Sequence, residues 1–236
     1  MSTDELTAER LAMLRDADVE VEGRMPWSSN ATFLVRIHHG DHSHRAIYKP
    51  VRGERPLWDF EPGLHRRERA AFLLSQHLGI GAVPPTIIRD GPLGEGSLQW
   101  FVEADHREHY FTIFESRADL HDQLRAIATL DLLANNTDRK SGHCLLEHDR
   151  VWAIDHGLCF AAPWKLRTVI WEFGGEPVPD ELLAPVRSLA ESVPLDLAAM
   201  LADDEVEALQ HRAATLATLA ELPIDETGAR YPWPLV

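Results

Sequence analysis

The chain has 236 residues, enough for one large domain or two small lobes around a buried core. Its 23 basic and 38 acidic side chains leave a formal net charge of −15. That balance excludes a non-specific nucleic-acid binder and an electrostatic anchor on anionic lipid, because both need a basic face. Hydrophobic residues at 44% and charged residues at 26% describe a folded globular chain, and Cys144 and Cys159 are too few for a disulfide scaffold. The N-terminus lacks a basic start followed by an apolar run, and no stretch reaches the roughly eighteen apolar residues of a membrane span. The resulting expectation is a cytoplasmic protein with reduced thiols and no membrane insertion.

In chain order, Ser2 and Glu5 have capping-box spacing ahead of Leu6, Leu11 and Leu14, which predicts an initial helix. Alternation then predicts strands over 19–25, 32–37 and 44–50, with a polar hairpin tip between the last two. Residues 63–79 form an amphipathic helix that turns Leu64, Ala71, Phe72, Leu74 and Leu78 inward and ends at glycines. Two further strands, 86–90 and 97–103, flank a Gly/Pro-rich turn. The polar stretch 104–110 reads as a linker. A long helix covers 117–135, two short strands (143–146 and 150–155) surround a turn at 147–149, and the remainder past residue 180 is helical. The plan is α+β and two-lobed: a β-rich N-lobe over 1–103 and a helical C-lobe over 104–236.

Taken singly, Lys49 at a strand end and Glu68 between two arginines are ordinary surface charges. Their meaning changes beside residues 135–160. There Asp138 follows a long helix, His143 comes five residues later, and Asp155 directly follows an apolar strand. Phosphoryl transfer needs such a set: a carboxylate for the attacking hydroxyl, ligands for the metal, a lysine for the phosphates and a helix glutamate to place that lysine. The order Lys49, Glu68, Asp138, His143, Asp155 is that of a kinase.

Three stretches carry a family resemblance: Asn136-Thr137-Asp138-Arg139, then Asp155-His156-Gly157-Leu158-Cys159-Phe160, and Tyr48-Lys49-Pro50. They resemble the catalytic, metal and phosphate-lysine segments of the phosphatidylinositol 3-/4-kinase-like superfamily, type II phosphatidylinositol 4-kinases in particular. Residues 27–33 resemble its serine-rich phosphate loop. The whole chain, to its terminal Tyr-Pro-Trp-Pro, is similar to a bacterial family classed as phosphatidylinositol 3-/4-kinase-like. The resemblance implies an atypical kinase fold and an ATP-dependent phosphotransferase. Adenine would lie near Phe101, Val102 and Glu103, and the phosphates would meet Ser28, Ser29 and Lys49, with Lys49 steadied by Glu68. Asp138 and Arg139 would form the catalytic loop, with Asp138 orienting the acceptor hydroxyl and Arg139 offsetting its charge or holding the loop, and Asp155 and His143 would bind Mg2+ or Mn2+.

The chain departs from that pattern in lacking a G-x-G-x-x-G loop and in carrying His143 where asparagine is usual, which favours Mn2+ over Mg2+. Without a basic, apolar membrane face, the acceptor reads as a protein Ser/Thr or a small metabolite rather than a lipid. The alternative is a nucleotide-binding pseudokinase acting on a protein partner. A histidine-dense hairpin (His38, His39, His42, His44) reads as an exposed polar turn, the two cysteines as core thiols, and Arg66, Arg67 and Arg69 as either a solvated helix face or a phosphate contact.

Overall fold

Alternating apolar residues along β2 (Phe33–His39) and β3 (His42–Pro50) pair the two strands as a hairpin whose tip turns through Gly40 at φ 59°. The computed structural model describes residues 3–26 and 30–235. β1 (Asp18–Arg24), β4 (Thr86–Gly91) and β5 (Gly94–Trp100) complete an antiparallel sheet in the order β1-β2-β3-β5-β4. One face packs on the initial helix α1 (Thr3–Asp16), where Leu14 and Ala17 meet Val35, Ile37, Ala46, Tyr48 and Leu98. Because strand side chains alternate, Lys49 points to the opposite face, toward α2 (Leu64–His77).

Helix α2 joins the two halves. Its Ala70, Ala71, Phe72, Leu74 and Leu78 belong to one large core with Leu124, Ile127 and Leu130 of α4 (His121–Ala134). The same core takes in Leu182, Val186 and Leu189 of α5 (Asp180–Glu191), Leu197 of α6 (Leu195–Ala198) and Leu209, Ala213 and Leu216 of α7 (Asp203–Leu219). β6 (Cys144–Glu147) and β7 (Arg150–Ala153) form a separate hairpin against α4. The result is a two-lobed kinase-like α+β fold.

Several expected elements change. The capping residue Ser2 lies outside the described residues. The strand expected over 97–103 sits earlier, at Gly94–Trp100, and residues 101–103 leave the sheet. The polar linker ends in α3 (Tyr110–Ser116), which the sequence did not suggest; it buries Tyr110 and Ile113 and stacks Phe114 on His121. The helix expected over 117–135 is broken at Arg117, so a 3-10 turn over Ala118–Leu120 precedes α4. Residues 220–235 are not helical. They run back over the helical half, where the Arg230 carbonyl accepts a hydrogen bond from Trp171 and the Leu235 carbonyl accepts one from the Ser141 N–H.

Candidate active site

Lys49 stands opposite Ser97 in the β3–β5 register, and its side chain crosses the gap between sheet and helix. The ammonium donates to Glu68 Oε1 and, at 2.8 Å, to Asp155 Oδ1. Burial alone would weaken its charge, but the Asp155 and Glu68 carboxylates overcome that and hold its pKa above the ordinary lysine value. Glu68 is itself fixed at both oxygens, because Oε2 accepts the His156 N–H at 3.1 Å. The entry of α2 is pinned by Glu54, which accepts the N–H groups of Gly63 and His65 at 2.9 and 3.1 Å and faces the His65 ring at 3.2 Å. Burial pushes the Glu54 carboxyl up, but those donors dominate and lower it to about 2.

The loop after α4 begins at Asn135, which adopts φ 49°, a conformation asparagine tolerates. The amide of Asn136 donates to Asp131 Oδ1 at 2.9 Å, while its carbonyl oxygen accepts the Asp138 N–H at 3.0 Å. Both the N–H and the hydroxyl of Thr137 donate to Leu158 O at 3.0 Å, tying this loop to the one that carries Asp155. Asp138 is mostly buried, with Lys140 Nζ 3.2 Å from Oδ2. Burial raises its pKa, and the Lys140 charge opposes that rise.

Of the two roles the sequence offers Arg139, offsetting charge on Asp138 or holding the loop, its contacts are those of the second. Its guanidinium is 0% exposed and points into the core, where it holds both oxygens of Asp131 at 2.8 Å. It also donates to the carbonyls of His143 (3.2 Å) and Ile154 (2.8 Å), and its Nη2 lies 2.7 Å from His156 Nε2. A group so enclosed cannot meet a substrate. Arg139 is a positioning residue that fastens the Asp138 and Asp155 loops to α4.

Asp155 follows β7 with φ 60° and a half-exposed carboxylate. The Lys49 charge, above all, holds its pKa well below the usual carboxylate range. His143 Nδ1 lies 3.0 Å from Asp138 O and 3.4 Å from the Lys140 backbone nitrogen, and Nε2 lies 3.5 Å from Asp155 Oδ2. Burial lowers the imidazole to about 4, so the ring is neutral near pH 7. With the ring proton on Nδ1, toward the Asp138 carbonyl, Nε2 and Asp155 Oδ2 would be two acceptors that fit a divalent cation. Among the described residues no group of three or more His, Cys, Asp or Glu could hold a metal ion, so the remaining ligands would be phosphate oxygens and water.

The segment that leaves β5 is tethered to β3. The Phe101 N–H donates to Arg45 O at 3.2 Å, Phe101 O faces His44 Nε2 at 3.3 Å, and the Arg45 guanidinium covers the Phe101 ring while pairing with Glu103. Val102 is buried. Ser28 and Ser29 lie outside the described residues. His44 has left the histidine-rich tip to stack on Trp100, with ring centroids 3.7 Å apart. Both cysteines are buried free thiols, and burial pushes Cys144 up to about 12. The arginines of α2 divide: Arg67 is buried, donating to Cys159 O and pairing with Glu205, and Arg69 donates to Thr86 O, whereas Arg66 stays exposed and donates to Ala199 O.

Sequence reasoning missed Asp131, His156, Lys140 and Glu54. One signal was present for Asp131: a lone carboxylate inside the apolar run Leu130-Asp131-Leu132-Leu133, on a helix face that must be buried.

These loops can be set beside known proteins. The model of the family described as phosphatidylinositol 3- and 4-kinase matches residues 85–212, a span that contains Asp138, His143 and Asp155. Protein Rv2133c of Mycobacterium tuberculosis is 39% identical, over 94% of each chain. The Golgi casein kinase solved with Mn/ADP bound superposes with a TM-score of 0.59 at 15% identity, covering 100% of this chain and 81% of that one. Hydra Fam20 solved with sugar gives 0.61 at 12% identity, covering 93% and 89%. The structural likenesses speak for a kinase-like fold. The family match spans just over half of the chain, including both loops that Arg139 fastens together, so the chain belongs to the phosphatidylinositol 3- and 4-kinase family.

Proposed function

We propose that the protein is an ATP-dependent phosphotransferase acting on a hydroxyl acceptor, a protein Ser/Thr or a small metabolite. The observation that carries this reading is Lys49, a single ammonium bridged between Glu68 on α2 and Asp155 after β7. Such a cation in a partly dry cleft suits the phosphates of a nucleotide. Glu68, held in turn by the His156 N–H, keeps Lys49 in place when Asp155 turns to other work. The N–H of Val102 and the C=O of Glu103 make no hydrogen bond among the described residues, which leaves a donor and an acceptor for an adenine edge.

Asp155 and His143 Nε2 would hold a divalent cation, as the Mn/ADP complex of the similar Golgi casein kinase suggests by analogy. When bound, such an ion neutralises charge on the transferring phosphoryl group. Asp138, its pKa raised by burial, orients the acceptor hydroxyl and takes its proton as that oxygen bonds to the γ-phosphorus and the bond to the ADP oxygen breaks. Net charge and the acidic surroundings disfavour an anionic lipid acceptor.

The test is calorimetric titration of ADP with Mg2+ or Mn2+, followed by turnover of labelled ATP. Metal–nucleotide binding that falls at least tenfold in Lys49→Ala supports the reading. No binding at millimolar nucleotide overturns it, and binding without turnover favours the pseudokinase alternative, for which the departure at His143 is the argument.

A further inference from the structure

Helix α1 is fastened to the sheet at its C-terminal end. Arg89 of β4 donates through Nη1 to the carbonyls of Leu14, Arg15 and Ala17, each at 2.9 Å, and so satisfies acceptors that a helix end leaves free. Leu14 belongs to the sheet core, on the face opposite Lys49, whereas Leu11, one turn earlier, packs against the large core of the helical half. The helix therefore touches both lobes.

Arg10, beside Leu11, makes a second crossing. Its guanidinium carbon lies 5.1 Å from the centre of the Trp100 ring and 6.0 Å from that of Trp152. Trp100 ends β5 in the N-lobe, and Trp152 lies on β7 in the C-lobe, three residues before Asp155. Arg10 Nε is buried and has no hydrogen-bond partner among the described residues, so its attraction is to the two rings and to the nearby Glu147 charge. The Trp152 ring is fixed in turn: its Nε1–H donates to Glu147 at 3.1 Å, and the Arg150 guanidinium covers it at 3.7 Å.

On the N-lobe side, Trp100 stacks on His44, whose Nε2 lies 3.3 Å from Phe101 O, and the Phe101 N–H donates to Arg45 O. Both backbone groups of Phe101 are thus committed to β3, and the Val102 N–H and Glu103 C=O are left for a base. One ring that Arg10 touches immediately precedes the base segment, and the other lies just ahead of the metal loop. A nucleotide must reach both places at once. Its second contact forms at an effective concentration set by how firmly their spacing is held, so a firm spacing strengthens a bridging ligand and not one confined to a single end.

We propose that Arg10 is a positioning residue for the nucleotide, setting the spacing between the base segment after Trp100 and the phosphate and metal site at Asp155; the proposal rests on the phosphotransferase reading. Calorimetry on the full chain compares ADP, which reaches both ends, with tripolyphosphate, which reaches only the phosphate end, each with Mn2+. Arg10→Met removes the cation and keeps an apolar stem. It is expected to weaken ADP by about fivefold or more and to leave tripolyphosphate within about twofold, with an unfolding temperature near that of wild type. Arg10→Lys, which keeps a cation against the rings, should recover most of the ADP affinity. His44→Ala, which frees the Phe101 carbonyl, should reproduce the ADP-selective loss. Equal losses for the two ligands, unchanged ADP affinity in Arg10→Met, or an Arg10→Lys as weak as Arg10→Met overturns the proposal while the reading of Lys49 and Asp155 stands. Wild-type protein that binds neither ligand overturns both.

Discussion

Arg139 Nη2 lies 2.7 Å from His156 Nε2, a contact that requires a neutral ring accepting through Nε2. Burial, and then the Arg139 charge, hold the His156 pKa well below its ordinary value, consistent with that state. The same guanidinium closes on Asp131, so one buried cation links α4, the Asp138 loop and the Asp155 loop.

Removing one member of this buried pair leaves the other charge unmatched. Arg139→Met and Asp131→Leu should each cost about 3–5 kcal/mol in urea unfolding. The double variant Arg139→Met/Asp131→Leu should recover a substantial part of that loss, while nucleotide binding stays impaired because the loop carbonyls at His143 and Ile154 lose their donor. Full additivity of the two single costs would show that the residues do not act as a pair.

Gly96 has a different role at the other end of the cleft. A Cβ there would fall 2.5 Å from Lys49 O and 2.7 Å from Pro50 Cα, closer than any side chain can approach backbone. Gly96→Ala must therefore push β5 away from β3 at the point where Lys49 leaves the sheet. Expected results are a loss of about 1–3 kcal/mol in stability and faster amide exchange across β3–β5. A wild-type exchange pattern would show that the strands tolerate the methyl.

Much of this arrangement can be read from the chain. Lys49, His143 and Asp155 border apolar runs, while Glu68 and Asp138 lie in polar stretches and gain meaning from their order along the chain, and the structure links Lys49 to Glu68 and Asp155, and Asp155 to His143. Arg139 was not legible in the same way. It stands between Asp138 and Lys140, and local sequence does not say which of three consecutive charges turns inward; only the distant Asp131 decides. Helix α3 was hidden for a related reason. Its aromatic and β-branched residues have weak helical preference, and packing of Phe114 on His121 and Phe173 supplies what propensity does not. The tail over 220–235 contains Pro223, Pro232 and Pro234, which break the helical reading extended over it.

The Glu54 carboxyl gives a pH signature. Its pKa falls from an ordinary 4.5 to about 2 on folding, so its stabilisation is fully present above about pH 4.5 and is lost as pH drops toward 2. The side chain is largely buried at the entry of α2. Glu54→Gln should lower stability at pH 7 by about 2 kcal/mol, and the gap to wild type should close between pH 4.5 and 2. Thermal unfolding across that range is the check; a gap that does not narrow would place the effect in packing rather than charge.

The metal is where this chain departs most from the pattern it resembles, and His143 is the residue responsible. With the ring proton on Nδ1, toward the Asp138 carbonyl, Nε2 would offer a nitrogen lone pair where the family usually offers an amide oxygen. Nitrogen favours the later divalent ions and serves Mg2+ poorly. Wild-type protein is therefore expected to bind ADP more tightly with Mn2+ than with Mg2+, by about tenfold or less for a single ligand of several. His143→Asn should move that ratio toward Mg2+ without abolishing binding, because Asp155 remains. Asp155→Ala should remove metal dependence altogether, and because it also strips a partner from Lys49, metal-free nucleotide affinity should be measured alongside. Calorimetry with each metal reads all three results. If His143→Ala leaves the Mn2+ to Mg2+ ratio unchanged, His143 is not a ligand and its contact with Asp155 is only a neighbourly one.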